Sequence, residues 1–191
     1  MDVLKEQQQC PPAAVSAIID MVGAVFAHSG KPLDIDIDDI EQLIELLHVV
    51  RPACAELAFF DGLLHAQRQE WDRAEEIFRA LIARSLCLPA SKGMLLRCLK
   101  EQQTFGWKDE AKRLLEDDED DDNICRLARA YIARDDLKHA AADAKRTGRF
   151  VTPESVLALD NPQPKHGGDR KAAASRQSNC DMLMTMQYLR V

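Results

Sequence analysis

The sequence predicts an all-α protein built from antiparallel helical hairpins. Apolar residues recur at intervals of three and four along most of the chain, and prolines stand at the heads of those stretches. From Ala53 to Ile82 two such stripes adjoin across a short turn, with small Gly62 and Ala74 set among large Trp71 and Phe78. A single hairpin cannot bury its own apolar face, so hairpins of this kind must stack on one another.

The first helix is expected from Pro11 and Pro12 to about Ala27, since proline suits a first turn, whose N–H groups have no helical partner. His28 to Leu33, with Gly30 and Pro32, forms a turn. From Asp36 to Val50, residues Ile37, Ile40, Ile44 and Leu47 make an apolar stripe, while Asp38, Asp39, Glu41 and Glu45 fall mostly on other faces. Pro52 ends that helix and opens the next.

The next pair presents Leu57, Phe60 and Leu64 on one helix, and Trp71, Ala74, Ile77, Phe78 and Leu81 on the other. Gly62 and Ala74 let the two backbones approach, and Trp71 and Phe78 fill the space around the crossing. Trp71→Ala is expected to cost roughly 3 to 5 kcal/mol for a buried indole. After Pro89 a helix from about Ala90 to Gln103 carries Met94, Leu95 and Leu99, and Gly106 leads into Trp107 to Leu115, where Ala111 takes the small-residue position. A fourth pair is expected from Asn123, with Leu127, Ala128 and Tyr131 in its first half and Leu137, Ala140 and Ala144 in its second. The step from Ala74 to Ala111 is longer than that from Ala111 to Ala140, so the repeat is degenerate. The fold this describes is a tetratricopeptide-like, right-handed stack of hairpins over residues 1–159. Its packing residues are Gly62, Trp71, Ala74, Phe78, Ala111, Tyr131 and Ala140.

Residues 160–191 read differently. From Asp160 to Asn179 the chain is rich in Pro, Gly, Ala, Ser, Lys and Arg without periodicity, the composition of a disordered tail. Met182, Leu183, Met184, Met186, Tyr188, Leu189 and Val191 then restore an apolar end, which could dock in the protein's own groove or on a partner. The unbroken acidic run Glu116 to Asp122 lacks the alternation and glycine of a calcium loop, and reads as a solvated linker whose last acids favour the following helix N-terminus.

A formal charge of −7 argues against a phosphate-backbone partner. Asp20 interrupts the apolar stretch Ala13 to Ala27, no basic region precedes it, and no stretch reaches the roughly 20 apolar residues of a membrane span. Cys10, Cys54, Cys87, Cys98, Cys125 and Cys180 include no CxxC pair, and none has a histidine at metal-ligand spacing. His28, His48, His65, His139 and His166 are widely spaced, and no nucleophile elbow, HExxH, Walker loop or glycine-rich dinucleotide turn is present. The expectation is a chain with no enzymatic activity, cofactor or metal, working in the cytoplasm.

The residues Arg51 and Pro52, then AEL at Ala55–Leu57, FDGLLH at Phe60–His65, and the W-D-x-A-x-x-x-F run of Trp71, Asp72, Ala74 and Phe78 resemble the HrpB-one/HrpK family of bacterial type III secretion proteins. The resemblance extends over about residues 36 to 147, through GWKDEAKRLLE and LARAYIARDDLKHAAADAKR. It implies a small, helical accessory or assembly protein that holds a segment of another secretion component, with homo-oligomerisation left open and the periplasm as second choice of compartment after the cytoplasm. A concave groove lined by Phe59, Leu63, Leu96, Lys100 and Arg129 is the expected place of binding, the alternative being that Phe59, Leu63 and Leu96 are simply core. Two further roles fit the resemblance: a chaperone for a needle or translocator subunit, and a cell-wall enzyme or peptidoglycan-binding protein of the apparatus.

Overall fold

The computed structural model of the protein describes residues 11–27, 36–52, 54–116 and 122–160. These contain eight helices and no strand: α1 (Pro12–Ala27), α2 (Ile37–Val50), α3 (Ala55–Gln67), α4 (Trp71–Ala83), α5 (Ala90–Glu101), α6 (Trp107–Glu116), α7 (Asp122–Thr147) and α8 (Glu154–Asp160). The tail expected beyond Asp160, with its methionine-rich end, and all but the ends of the acidic run lie outside the described residues.

Described residues up to Gln102 form one compact unit and those from Gln103 a second. In the first, α1 packs on α2, α2 on α3, α3 on α4 and α4 on α5. Val15, Ile19, Val22 and Phe26 form the buried stripe of α1, and the Phe26 ring stacks on Phe60 of α3 at 5.9 Å. The α2 helix starts because the Asp36 carboxylate accepts the Asp38 N–H at 3.2 Å while Asp38 and Asp39 sit in its positive first turn. Its buried residues are Ile40, Ile44 and Leu47, three of the four in the expected stripe.

The α3–α4 turn closes without glycine. The Glu70 N–H donates to the His65 carbonyl at 2.9 Å and the Gln69 N–H to Ala66 at 3.2 Å, a Schellman arrangement with Gln69 at φ +62°. The end of α4 repeats it: Leu86 donates to Leu81, Ser85 donates to Ile82, and Ser85 stands at φ +54°. Helix α5 is buried on most sides, and its Ser91 hydroxyl, fully buried, donates to the Leu86 and Cys87 carbonyls. That satisfies a polar group which would otherwise be costly to bury.

In the second unit α6 packs on α7 and α7 on α8. The fourth pair is not a hairpin. Residues 122–147 form one unbroken helix, because nothing from Asn123 to Arg146 is a glycine or proline and Asp143 pairs with Arg146 three residues on. The chain first turns at Gly148, at φ +74°, whose N–H closes on the Ala144 carbonyl at 2.8 Å. Helix α8, absent from the sequence reading, supplies the partner that the second half of α7 lacked.

Candidate protein-binding site

The packing residues come together at the α3–α4 crossing. Gly62 and Phe78 are in close approach: a β-carbon at position 62 would lie 2.7 Å from Phe78 Cζ and 2.8 Å from its Cε1. Phe78 and Ala74 are fully buried, and the Phe78 ring meets Phe59 edge-on at 5.6 Å. Trp71 is only half-buried. The 3 to 5 kcal/mol expected for its removal belongs to a fully buried indole and is too large here. Ala111 and Tyr131 are buried in the second unit, and Ala140 is half-buried.

The five residues expected to line a groove divide differently. Phe59, Leu63 and Leu96 are 1%, 2% and 0% exposed, so in the free chain they are core side chains of the first unit. Lys100 is half-buried, its ammonium 3.0 Å from Glu101. Arg129 is half-buried on α7, in the second unit.

Charged groups that the helical stripes did not single out tie the elements together. The Arg68 guanidinium, at the end of α3, donates to both Glu41 oxygens, at 2.8 and 2.7 Å, and to Asp38 at 2.7 Å, bridging α3 to α2. This fork-on-fork geometry is the strong form of a guanidinium–carboxylate contact. Its hydrogen bonds hold Glu41 below the usual glutamate range. His48 of α2 meets Asp61 of α3 at 2.8 Å, and His65 meets Glu70 at 2.8 Å, lowering the Glu70 carboxyl. In the second unit Lys108 of α6 lies 2.7 Å from Asp135 and 2.8 Å from Asp136, while the Ser155 hydroxyl of α8 donates to Asp136 at 2.7 Å. Burial opposes ionisation of Asp136, yet these two donors bring it below the ordinary aspartate range. The signal in the sequence was the spacing of Asp38 and Glu41, which puts two acids on one face of α2.

Among the described cysteines, Cys98 and Cys125 are buried. Burial pushes Cys98 up to about 12 and raises Cys54, which also donates to Glu56 at 2.9 Å. Among the described residues no three His, Cys, Asp or Glu side chains gather as a metal ion would require, and no helix is long and apolar enough to cross a membrane.

The class of molecule so defined is an all-helical protein of paired amphipathic helices, joined by close apolar crossings within the hairpin and by ion pairs between neighbouring helices. The chain belongs to a family of bacterial type III secretion proteins, HrpB1_HrpK, whose family model matches residues 5–137, well over half of its length. No curated protein matches it, and no solved structure does.

Proposed function

We propose that the protein is a non-enzymatic accessory of the type III secretion apparatus, an adaptor that binds a segment of another secretion component during assembly. The observation that carries this reading is the Gly62–Phe78 crossing inside a chain of this family: hairpins nested this tightly make a rigid scaffold, and such scaffolds bind polypeptide along their helices. The nesting of α3, α4 and α5 supports a tetratricopeptide-like, right-handed stack as the underlying architecture, with residues 1–159 as its repeat domain. On this proposal Phe59, Leu63 and Leu96 set the shape of the helices from within, and Lys100 and Arg129 each meet the partner from the surface of their own unit. The cytoplasm is the proposed place of action.

The test is pairwise co-purification with each component of the apparatus, using Lys100→Glu and Arg129→Glu separately. Retained helicity with reduced capture of one particular component is the expected result. Undiminished capture by both variants overturns the assignment of these two residues. Solubilisation of an aggregating needle or translocator subunit on co-expression would identify the chaperone role instead. Release of soluble muropeptides from cell wall by the purified protein would overturn the non-enzymatic reading.

A further inference from the structure

Helix α7 carries a cationic stripe along its second half. Arg134, Lys138 and Lys145 are all exposed, and at helical spacing they fall, with exposed Ala141, inside a sector of roughly 60°. Leu137, 42% exposed, lies at the edge of that sector. Another side of the same stretch is taken by α8: Asp136 accepts the Ser155 hydroxyl at 2.7 Å, and Asp136, Ala140 and Ala144, all half-buried, share a separate sector. The acids of this stretch are engaged elsewhere. Lys108 of α6 holds Asp135 and Asp136, and Arg146 holds Asp143. Among the described residues no carboxylate pairs with Arg134, Lys138 or Lys145. In a chain of net charge −7, three such cations are gathered on one face of one helix.

We infer that this stripe is a docking surface for an acidic amphipathic α-helix of a partner protein. Charge complementarity names the occupant: carboxylates spaced four and seven residues apart would meet the three cations along about 16 Å of helix. The residues between the cations favour a polypeptide over a polyphosphate. Ala141 leaves a low surface between Lys138 and Lys145, where a second helix can approach closely, and Leu137 offers an apolar contact that a phosphate backbone does not use. A nucleic acid would also bring continuous negative charge against a chain that is itself acidic, with Asp135, Asp136 and Asp143 on the same helix. This surface goes beyond the adaptor reading, since it involves neither Lys100 nor Arg129.

The experiment titrates the full chain into a fluorescein-labelled helical peptide with glutamates at four- and seven-residue intervals and leucine and alanine between them, read by fluorescence anisotropy at low salt. A second peptide of the same composition spreads its glutamates around the helix. The matched peptide should bind about ten-fold more tightly than the scrambled one, and its binding should weaken as salt rises. Lys138→Glu should weaken it about ten-fold and Lys138→Gln about three-fold. Both residues form helix about as well as lysine, so circular dichroism should show the fold retained. Lys112→Glu makes the same charge change at an exposed position of α6 and should leave binding unchanged. Equal affinity for the two peptides, a loss with Lys112→Glu as large as with Lys138→Glu, or tighter binding of duplex DNA than of the matched peptide would each overturn the inference. Any of these results leaves the co-purification test of Lys100 and Arg129 untouched, because that test reads capture of secretion components through residues outside the stripe.

Discussion

Gly62→Ala isolates the contact on which the first unit is built. In an open helix this substitution stabilises, because alanine loses less backbone freedom than glycine, by roughly 0.5 to 1 kcal/mol. Here the new methyl would sit 2.7 Å and 2.8 Å from two atoms of the Phe78 ring and 3.3 Å from Ile77 Cγ2. Ordinary contact needs the ring to retreat by about 1 Å. It has little room to do so, since Phe78 is 0% exposed and Phe59 lies edge-on 5.6 Å away. Overpacking of this kind costs about 1 to 3 kcal/mol. Subtracting the propensity gain leaves a net loss of about 1 kcal/mol, or roughly 2 to 4 °C in melting temperature for a chain of this size.

Urea unfolding followed by far-ultraviolet circular dichroism measures the change as a lower midpoint at constant slope. Phe78→Leu removes the ring atoms that the new methyl meets and should cost about 1 kcal/mol alone. In the double variant Gly62→Ala should become neutral or stabilising, a coupling of about 1 kcal/mol. If Gly62→Ala stabilises the otherwise unchanged protein, or its effect adds simply to that of Phe78→Leu, the close crossing does not exist in solution.

Gln69→Gly and Ser85→Gly should each raise stability by about 0.5 to 1 kcal/mol in the same urea assay, because both residues hold positive φ at helix C-termini where glycine carries no steric penalty. Trp71→Ala should cost about 1 to 2 kcal/mol, near half the value for a fully buried indole; a midpoint shift worth 4 kcal/mol would show the indole to be enclosed. Glu41, Glu70 and Asp136 all have carboxyl groups lowered in the folded chain, so their contribution is complete above the ordinary carboxylate range and is lost as pH falls through the lowered values. Melting temperature should therefore decline as pH drops from 5 to 3, and replacing the three by Gln, Gln and Asn should flatten that decline. Cys98, buried and with its thiol pushed up to about 12, should resist alkylation in the native protein at pH 8 and react fully in urea; peptide mapping after iodoacetamide reads this directly.

Where the sequence could be read, the signal was a stripe. The buried sets of α2 and α4 repeat at three and four residues, and Pro12, Pro52 and Pro89 mark the approaches to helices. Helix ends were harder to see because Gln69, Ser85 and Gln103 occupy left-handed positions where glycine is the usual mark. In α7 the expected break between Tyr131 and Leu137 rested on a supposed repeat, with no glycine or proline to make it. The groove was the least legible feature. Spacing assigns Phe59, Leu63 and Leu96 to a face of a helix, but what lies over that face is decided by chain far away in sequence, and all three prove to be core. The Arg68 bridge was hidden for the same reason, since its partners Asp38 and Glu41 belong to a different helix.

The α3–α4 and α2–α3 joints of the first unit are of unlike kinds, and this orders their strengths. The α3–α4 joint is a dry apolar crossing with Gly62 against Phe78, so separating it exposes large side chains and costs several kcal/mol. The α2–α3 joint shares its load between Ile40, Ile44 and Leu47 and the surface pairs Arg68–Glu41, Arg68–Asp38 and His48–Asp61, whose side chains remain 25% to 69% exposed. Exposed pairs contribute at most about 1 kcal/mol each and weaken in salt. Local opening is therefore expected to begin with α1 and α2, while α3 and α4 stay joined. The Phe26–Phe60 stack connects α1 to α3, so displacing α1 removes one cover of Phe60. Opening of these N-terminal helices leaves the Gly62–Phe78 crossing intact.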